Sequence, residues 1–251
     1  MFKQEYPAEP EEAFLTTGRP VFDPIDLTER ASLVRPIQHR LALTLDRWEE
    51  HPLGELIQYY PVNPGGTYYI GADVAMGVRG GDWSVAQVLD ENKRQVAVWR
   101  GHVHPDYFAE VLHRLGTLYN NAKIAVESNN HGLLTVSLLY KHWNYPNVFT
   151  NVVEDTITDV DTPKLGFRTD VKTKPMIIDD LRAALRLNEI ELNDKLTINE
   201  MLTYVVKESG KLEAEEGCFD DCVMSLAIAN HVHEGVWKPI KVTSAHYVEA
   251  I

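Results

Sequence analysis

The chain of 251 residues can bury a sizeable core, and its 44% hydrophobic and 24% charged residues are the composition of an ordinary globular protein. Its formal net charge of −13 argues against nucleic acid as a partner, unless the excess acids hold divalent metals and a local basic patch remains. Two cysteines exclude a disulfide framework and a zinc site, while the acidic N-terminus and the lack of a long apolar run predict a cytosolic protein without a membrane anchor.

The first 64 residues are rich in proline and charge, which interrupts every possible long element. One helix or strand is predicted between Gln38 and Glu50. We interpret residues 1–64 as an N-terminal extension or linker that docks on a larger body. The boundary with the main domain, residues 65–251, is placed near Pro64 and Gly65.

From Thr67 onward the pattern changes to strands and helices. In chain order it predicts strands over 67–73, 82–89 and 95–102, a helix over 105–119, a strand over 123–126, a helix over 133–143, a short strand over 148–150, a loop or hairpin over 151–164, a helix from 174 or 175 to 187, a short strand over 190–192, a helix over 196–206, a hairpin over 207–217 and a helix over 219–231. This order is typical of an α/β domain with a central mixed sheet flanked by helices.

Acidic residues stand at the ends of these predicted elements. Asp73 ends the first of the three strands and precedes a glycine-rich turn, Glu127 follows the strand over 123–126, and Asp220 and Asp221 open the last helix. Neighbouring strands lie ~4.8 Å apart, so acids at two strand ends can converge on one cation. Hard oxygen ligands favour Mg²⁺ or Mn²⁺, and two such ions ~3.5–4 Å apart can support phosphodiester hydrolysis.

Each of these acids also has a purely structural interpretation. Asp73 could bond its own backbone in the turn, Glu127 could be the solvated end of a strand, and Asp220 or Asp221 could cap the last helix. Asp82 is ambiguous between metal and turn, and stays outside the core set. Their joint placement at strand ends and a helix start favours a metal site.

The most basic segment of this acidic chain follows Gly166. This segment predicts contacts with DNA phosphates that do not depend on the base sequence. A run of charged residues is, however, more often simply a solvent-exposed face of the protein. The candidate DNA-binding residues are Arg168, Lys172 and Lys174, with Lys211 on the hairpin before the last acids.

Four stretches resemble the nuclease domain of phage terminase large subunits, the DNA-packaging motor proteins. They are YYIGADVAMGVRGGDWSVA, IAVESNNHG, GFRTDVKTKP and GCFDDCVMSLAIAN, in the order and spacing of that family. The family usually has His where Phe219 stands here. The stretch EYPAEPEEAFLTTGRPVFD also resembles the end of the family's ATPase domain, so the resemblance covers nearly the whole chain.

The resemblance implies an RNase H-like fold and a metal-dependent endonuclease that cuts double-stranded viral DNA at initiation and termination of packaging. It implies that Asp73, Glu127 and Asp221 are catalytic metal ligands with Asp220 as an auxiliary, and that two Mg²⁺ or Mn²⁺ ions bind together with DNA. Implied partners are the portal protein, the small terminase subunit and an ATPase domain, in the host cytoplasm. Because no GxxxxGK[ST] occurs, this chain alone is not expected to translocate DNA, which indicates a fragment beginning near the end of the motor domain.

Three other functional hypotheses compete with a terminase-type nuclease. The chain could be another RNase H-like nuclease, of the junction resolvase or integrase type. An actin-like or sugar-kinase-like ATPase also uses a strand, an acid and glycines, but it predicts a second phosphate loop that the sequence does not show. A non-catalytic docking module of a larger assembly would leave the acids without a role.

Overall fold

The centre of the molecule is a mixed sheet of seven strands. The computed structural model describes residues 19–78, 80–153 and 162–234. The strands are β1 (Arg19–Pro20), β2 (His39–Thr44), β3 (Arg47–Glu50), β4 (Leu56–Gln58), β5 (Tyr68–Asp73), β6 (Ser84–Asp90), β7 (Gln95–Gly101), β8 (Lys123–Val126), β9 (Thr150–Val153), β10 (Thr162–Leu165), β11 (Tyr204–Val206) and β12 (Leu212–Ala214). The helices are α1 (Pro24–Leu33), α2 (Pro105–Leu118), α3 (Gly132–Lys141), α4 (Thr173–Arg186), α5 (Lys195–Leu202) and α6 (Asp221–Glu234).

The order of strands in the large sheet is β3-β2-β4-β7-β6-β5-β8. All neighbours are antiparallel except β5 and β8, which run parallel. Because β5 and β8 are parallel, their carboxyl ends meet at the same edge of the sheet. The predicted α/β class with a central mixed sheet and flanking helices is confirmed.

Helices cover both faces of this sheet. On one face, α2 and α3 pack their buried side chains, among them Phe108 and Leu139, against β5, β6 and β8. On the other face, α4, α5 and α6 form a second core that includes Leu181 and Ile198. In the described part of the chain, no helix is long and apolar enough to span a membrane.

Helix α6 lies directly on β5 because both elements carry small residues. A Cβ atom added to Gly71 would stand 2.1 Å from the carbonyl oxygen of Ser225 and 2.3 Å from the backbone nitrogen of Ala229. Such distances are far below van der Waals contact, so no side chain fits at Gly71. The small residues of β5 and α6 therefore bring the start of α6 to the end of β5.

The N-terminal extension contributes to the large sheet. β2 and β3 form a hairpin in the region where one element was predicted, and β4 pairs with β7. Residues 39–58 thus extend the large sheet beyond β7, with β3 as its edge strand. Residues 1–18 lie outside the described residues, and the division of the chain near residue 64 stays a prediction.

Several predicted boundaries need correction. The helix expected over 196–206 ends at Leu202, because the β-branched run that follows forms β11 and pairs with β1 and β12. The expected strand over 190–192 is reduced to a bridge between Glu191 and Arg94. The hairpin over 151–164 is seen as β9 paired with β10, while residues 154–161 lie outside the described residues. Cys218 and Cys222 are both free, the first exposed and the second buried.

Candidate metal centre

Asp73 and Glu127 stand side by side at the carboxyl edge of β5 and β8. Asp73 is the last residue of β5, and Glu127 directly follows β8. The backbone N–H of Glu127 donates to the carbonyl oxygen of Ala72 at 2.8 Å, which continues the parallel pairing to the very end of both strands. The strand register thus places the two carboxylates next to each other.

The carboxylate of Glu127 is held by two polar side chains from outside its strand. Its Oε1 accepts hydrogen bonds from the Thr169 hydroxyl and, at 3.4 Å, from Nδ2 of Asn129. Nδ2 of Asn129 also donates to the Thr169 carbonyl oxygen at 2.6 Å. A Cβ atom at Gly132 would lie 1.6 Å from the Glu127 carbonyl oxygen, so only glycine allows α3 to begin this close to the acid.

Asp221 and Asp220 reach the same edge from the start of α6. Oδ2 of Asp221 accepts the backbone N–H of Trp83 at 3.0 Å, which ties the helix start to the approach of β6. Oδ2 of Asp220 lies 3.3 Å from Nζ of Lys174 on α4. Asp221 is buried, whereas Asp220 remains partly accessible.

The charges of the other three acids act on Asp73. Burial raises the pKa of Asp73 well above its ordinary value, and the carboxylates of Glu127, Asp221 and Asp220 raise it further. Burial also raises the pKa of Asp221 to about 7, against the opposing effect of the Trp83 N–H. We call Asp73, Glu127, Asp220 and Asp221 the carboxylate cluster.

Two further acids stand close to Asp221, and their negative charges also raise its pKa. Asp82 is exposed, on the approach to β6. Glu200 is buried on α5, where its Oε2 accepts the backbone N–H of Cys222 at 2.7 Å and its Oε1 lies 3.3 Å from Nη2 of Arg100. Sequence reasoning missed Glu200, because nothing in the pattern of α5 distinguishes it from a surface acid.

The donor set of the cluster fits a hard divalent cation. Like charges brought together repel unless a proton or a cation stands between them, and this repulsion adds to the effect of burial in raising the pKa values of Asp73 and Asp221. Within the described ranges, no group of three or more His, Cys, Asp or Glu side chains is arranged so that it could hold a metal ion. In this structure Glu127 bonds Thr169, Asp220 pairs with Lys174 and Asp221 accepts from Trp83.

The predicted DNA-binding residues divide into two groups. Arg168 and Lys172 are exposed in the turn between β10 and α4. The same turn contains Thr169, whose hydroxyl bonds Glu127 of the cluster. Lys174 is half-buried against Asp220, and Lys211 forms an ion pair with Glu213 on the neighbouring strand β12. The first two therefore present their charge to solvent, while the second two already neutralise carboxylates of this chain.

Comparisons with known proteins agree with the fold. No protein-family model and no curated protein matches the chain. Among solved structures it is similar to the large terminase nuclease from thermophilic phage G20c with bound cobalt, at 19% identity and a TM-score of 0.61 over 85% of this chain and 97% of that chain. The large terminase nuclease domain of Thermus phage P74-26 is 20% identical with a TM-score of 0.57, over 87% and 98% of the two chains.

The G20c nuclease with bound magnesium is similar to the same extent, with a TM-score of 0.59 at 20% identity over 85% of this chain and 97% of that chain. At these identities the likeness is one of fold. The predicted RNase H-like fold is confirmed.

Proposed function

We propose that this chain is a metal-dependent endonuclease that hydrolyses phosphodiester bonds of double-stranded viral DNA. The observation that carries the proposal is the convergence of four acids at the carboxyl edge of β5 and β8, in the fold of phage terminase nucleases. The bound magnesium and cobalt in two of the G20c structures support a divalent cation as cofactor.

Asp73, Glu127 and Asp221 are the proposed metal ligands, with Asp220 as an auxiliary. Divalent cations bound there, two Mg²⁺ or Mn²⁺ ions in the full proposal, would lower the pKa of an attacking water and stabilise the leaving oxygen of the phosphodiester. The chain's own residues fix the donors, because Trp83 holds Asp221 and Thr169 holds Glu127. Lys174 holds Asp220 and neutralises part of its charge until DNA arrives.

The DNA backbone would lie along the turn before α4. Arg168 and Lys172 are the proposed phosphate contacts of this turn, with Lys174 and Lys211 at its border. Such contacts position a duplex without reading its sequence. We further propose that the cuts initiate and terminate genome packaging in the host cytoplasm, together with a portal protein, a small terminase subunit and an ATPase domain.

Cleavage of supercoiled plasmid with Mg²⁺ or Mn²⁺ tests the function. Asp73→Ala and Glu127→Ala should each lower the rate by at least roughly 10³-fold, since each loses several kcal/mol of metal-dependent charge stabilisation. Asp106→Ala is the matched control, because Asp106 is an exposed acid paired with His104. Cutting that survives both substitutions in folded protein would show that the cluster is not the active site.

A further inference from the structure

A second charged feature lies beside the carboxylate cluster. A cavity of about 760 Å³ opens between β2, β4 and the start of α5, and we call it the hairpin groove. This volume is within the ~300–1,000 Å³ of ordinary ligand sites. Its walls combine cations with exposed apolar side chains, namely Arg35, Arg40, Arg100, Lys195, Leu53 and Leu196.

The groove is positive in a strongly acidic chain. Four cations and two acids, Glu55 and Asp194, line it, and one of the cations, Arg100, is paired with Glu200 behind the wall. Asp194 is engaged by the Tyr59 hydroxyl at 2.9 Å and the Thr197 N–H at 2.8 Å. Arg35 and Lys195 are exposed, and among the described residues neither forms a salt bridge. The guanidinium of Arg35 lies 4.2 Å above the ring of Tyr60, which orients it without neutralising it.

The inner wall of the groove is shared with the cluster. Trp83 lines the groove, and its backbone N–H donates to Asp221. Arg100 lies 4.3 Å above the Trp83 ring and pairs with Glu200, which in turn accepts from Cys222 next to Asp221. A molecule in the groove therefore contacts Trp83, whose backbone N–H donates to the proposed metal ligand Asp221.

We infer that the hairpin groove binds a DNA strand flanking the phosphate held at the carboxylate cluster. This inference rests on the proposed nuclease function and adds a contact surface outside the turn before α4. Arg35, Arg40 and Lys195 take up phosphates, because their charge complements a polyanion. The apolar walls at Leu53 and Leu196, which are 80% and 40% exposed, face the sugars. Strand β2 and the loop between β3 and β4 thereby become part of the substrate site.

The double variant Arg35→Gln with Lys195→Gln tests the groove. Binding of a labelled duplex is measured by fluorescence anisotropy in Ca²⁺ over a series of salt concentrations. Losing two phosphate contacts should lower the slope of log K against log salt by about 1.8 and the affinity by roughly 50-fold near ~0.1 M salt. Arg182→Gln with Arg186→Gln removes the same charge from α4 and should keep the wild-type slope. Thermal melting checks that both variants fold.

The possible results separate the two proposals. A wild-type chain that cuts plasmid, together with a groove variant that keeps the wild-type salt slope, would overturn the groove and leave the nuclease standing. A groove variant that loses affinity only for a mononucleotide would overturn its assignment to a DNA strand. A wild-type chain that neither cuts nor binds duplex would overturn both proposals at once.

Discussion

Two polar regions of this molecule are built in opposite ways. We call the first the amide network, and its members are Gln87, Gln95, Asn193, Asp194 and Thr197. The second is the carboxylate cluster. In the amide network each acceptor receives a donor, whereas the cluster collects four acids whose charges oppose one another.

The hydrogen bonds of the amide network show how its buried polar groups are paired. Oε1 of Gln95 accepts the backbone N–H groups of Asn193 and Asp194, both at 2.6 Å, and its Nε2 donates to Oε1 of Gln87 at 2.8 Å. Nε2 of Gln87 donates to Thr197 at 2.9 Å. A buried network of this kind fixes the start of α5, whereas in the cluster a bound cation would relieve the repulsion between the acids. The first region stabilises the fold, and the second is the region that we propose for the chemistry.

The largest effect on stability is expected from breaking the amide network. Gln95→Ala leaves two buried N–H groups without an acceptor and creates a small cavity, so the free energy of unfolding should fall by roughly 4–5 kcal/mol. Urea denaturation measures this loss. Metal-dependent cleavage per folded molecule should stay at the wild-type rate, because Gln95 does not contact the cluster. A large fall in cleavage with little loss of stability would contradict this division of roles.

A smaller effect is expected from the charge of the cluster. In the folded protein the pKa of Asp221 is raised from 3.8 to about 7, so between these values the folded state binds more protons than the unfolded state. Stability of the metal-free protein must therefore fall as pH rises through this window, by about 2–4 kcal/mol for this one group. Metal binding follows the opposite trend, because ligands must lose their protons.

Denaturation in EDTA at pH 5 and pH 8 measures this dependence. Asp221→Asn keeps an acceptor for the Trp83 N–H but cannot ionise, so it should remove most of the slope and be more stable than wild type at pH 8. Asp106→Asn, which removes an exposed carboxylate elsewhere, should leave the slope unchanged. Equal slopes in Asp221→Asn and wild type would mean that burial and the neighbouring acids do not raise the pKa of Asp221 in the folded protein.

The sequence was sufficient to identify the four acids of the carboxylate cluster, but not the residues that hold these acids in place. Asp73, Glu127 and the pair at the start of α6 are readable because each ends or begins an element with a strong local pattern. Glu200 bonds Cys222, which is 22 positions away along the chain, and Thr169 bonds Glu127, which is 42 positions away. Local sequence periodicity does not indicate contacts between residues this far apart. The amide network was missed for the same reason.

The N-terminal hairpin was hard to recognise for a different reason. Its strand β3 has only four residues and the neighbouring strand β4 only three, and prolines at 36, 52 and 61 flank these strands. Short strands between prolines have the same local pattern as a linker, and their pairing is decided by the edge of β7. The strands of residues 39–58 therefore depended on tertiary pairing, and the division of the chain near residue 64 stays a prediction.

The smallest effect concerns how far the protein neutralises its own cluster. Lys174→Ala removes the ammonium group 3.3 Å from Asp220, so metal-free stability at pH 8 should fall by about 1 kcal/mol. Saturating Mn²⁺ should shrink this loss, because the cation then supplies the missing positive charge. Lys172→Ala is the matched control, since Lys172 is exposed two residues earlier and should change stability by less than about 0.5 kcal/mol. Melting temperatures with EDTA and with Mn²⁺ measure both variants. Equal losses in the two variants, or a loss that Mn²⁺ does not reduce, would show that Lys174 supports α4 and not the charge balance of the cluster.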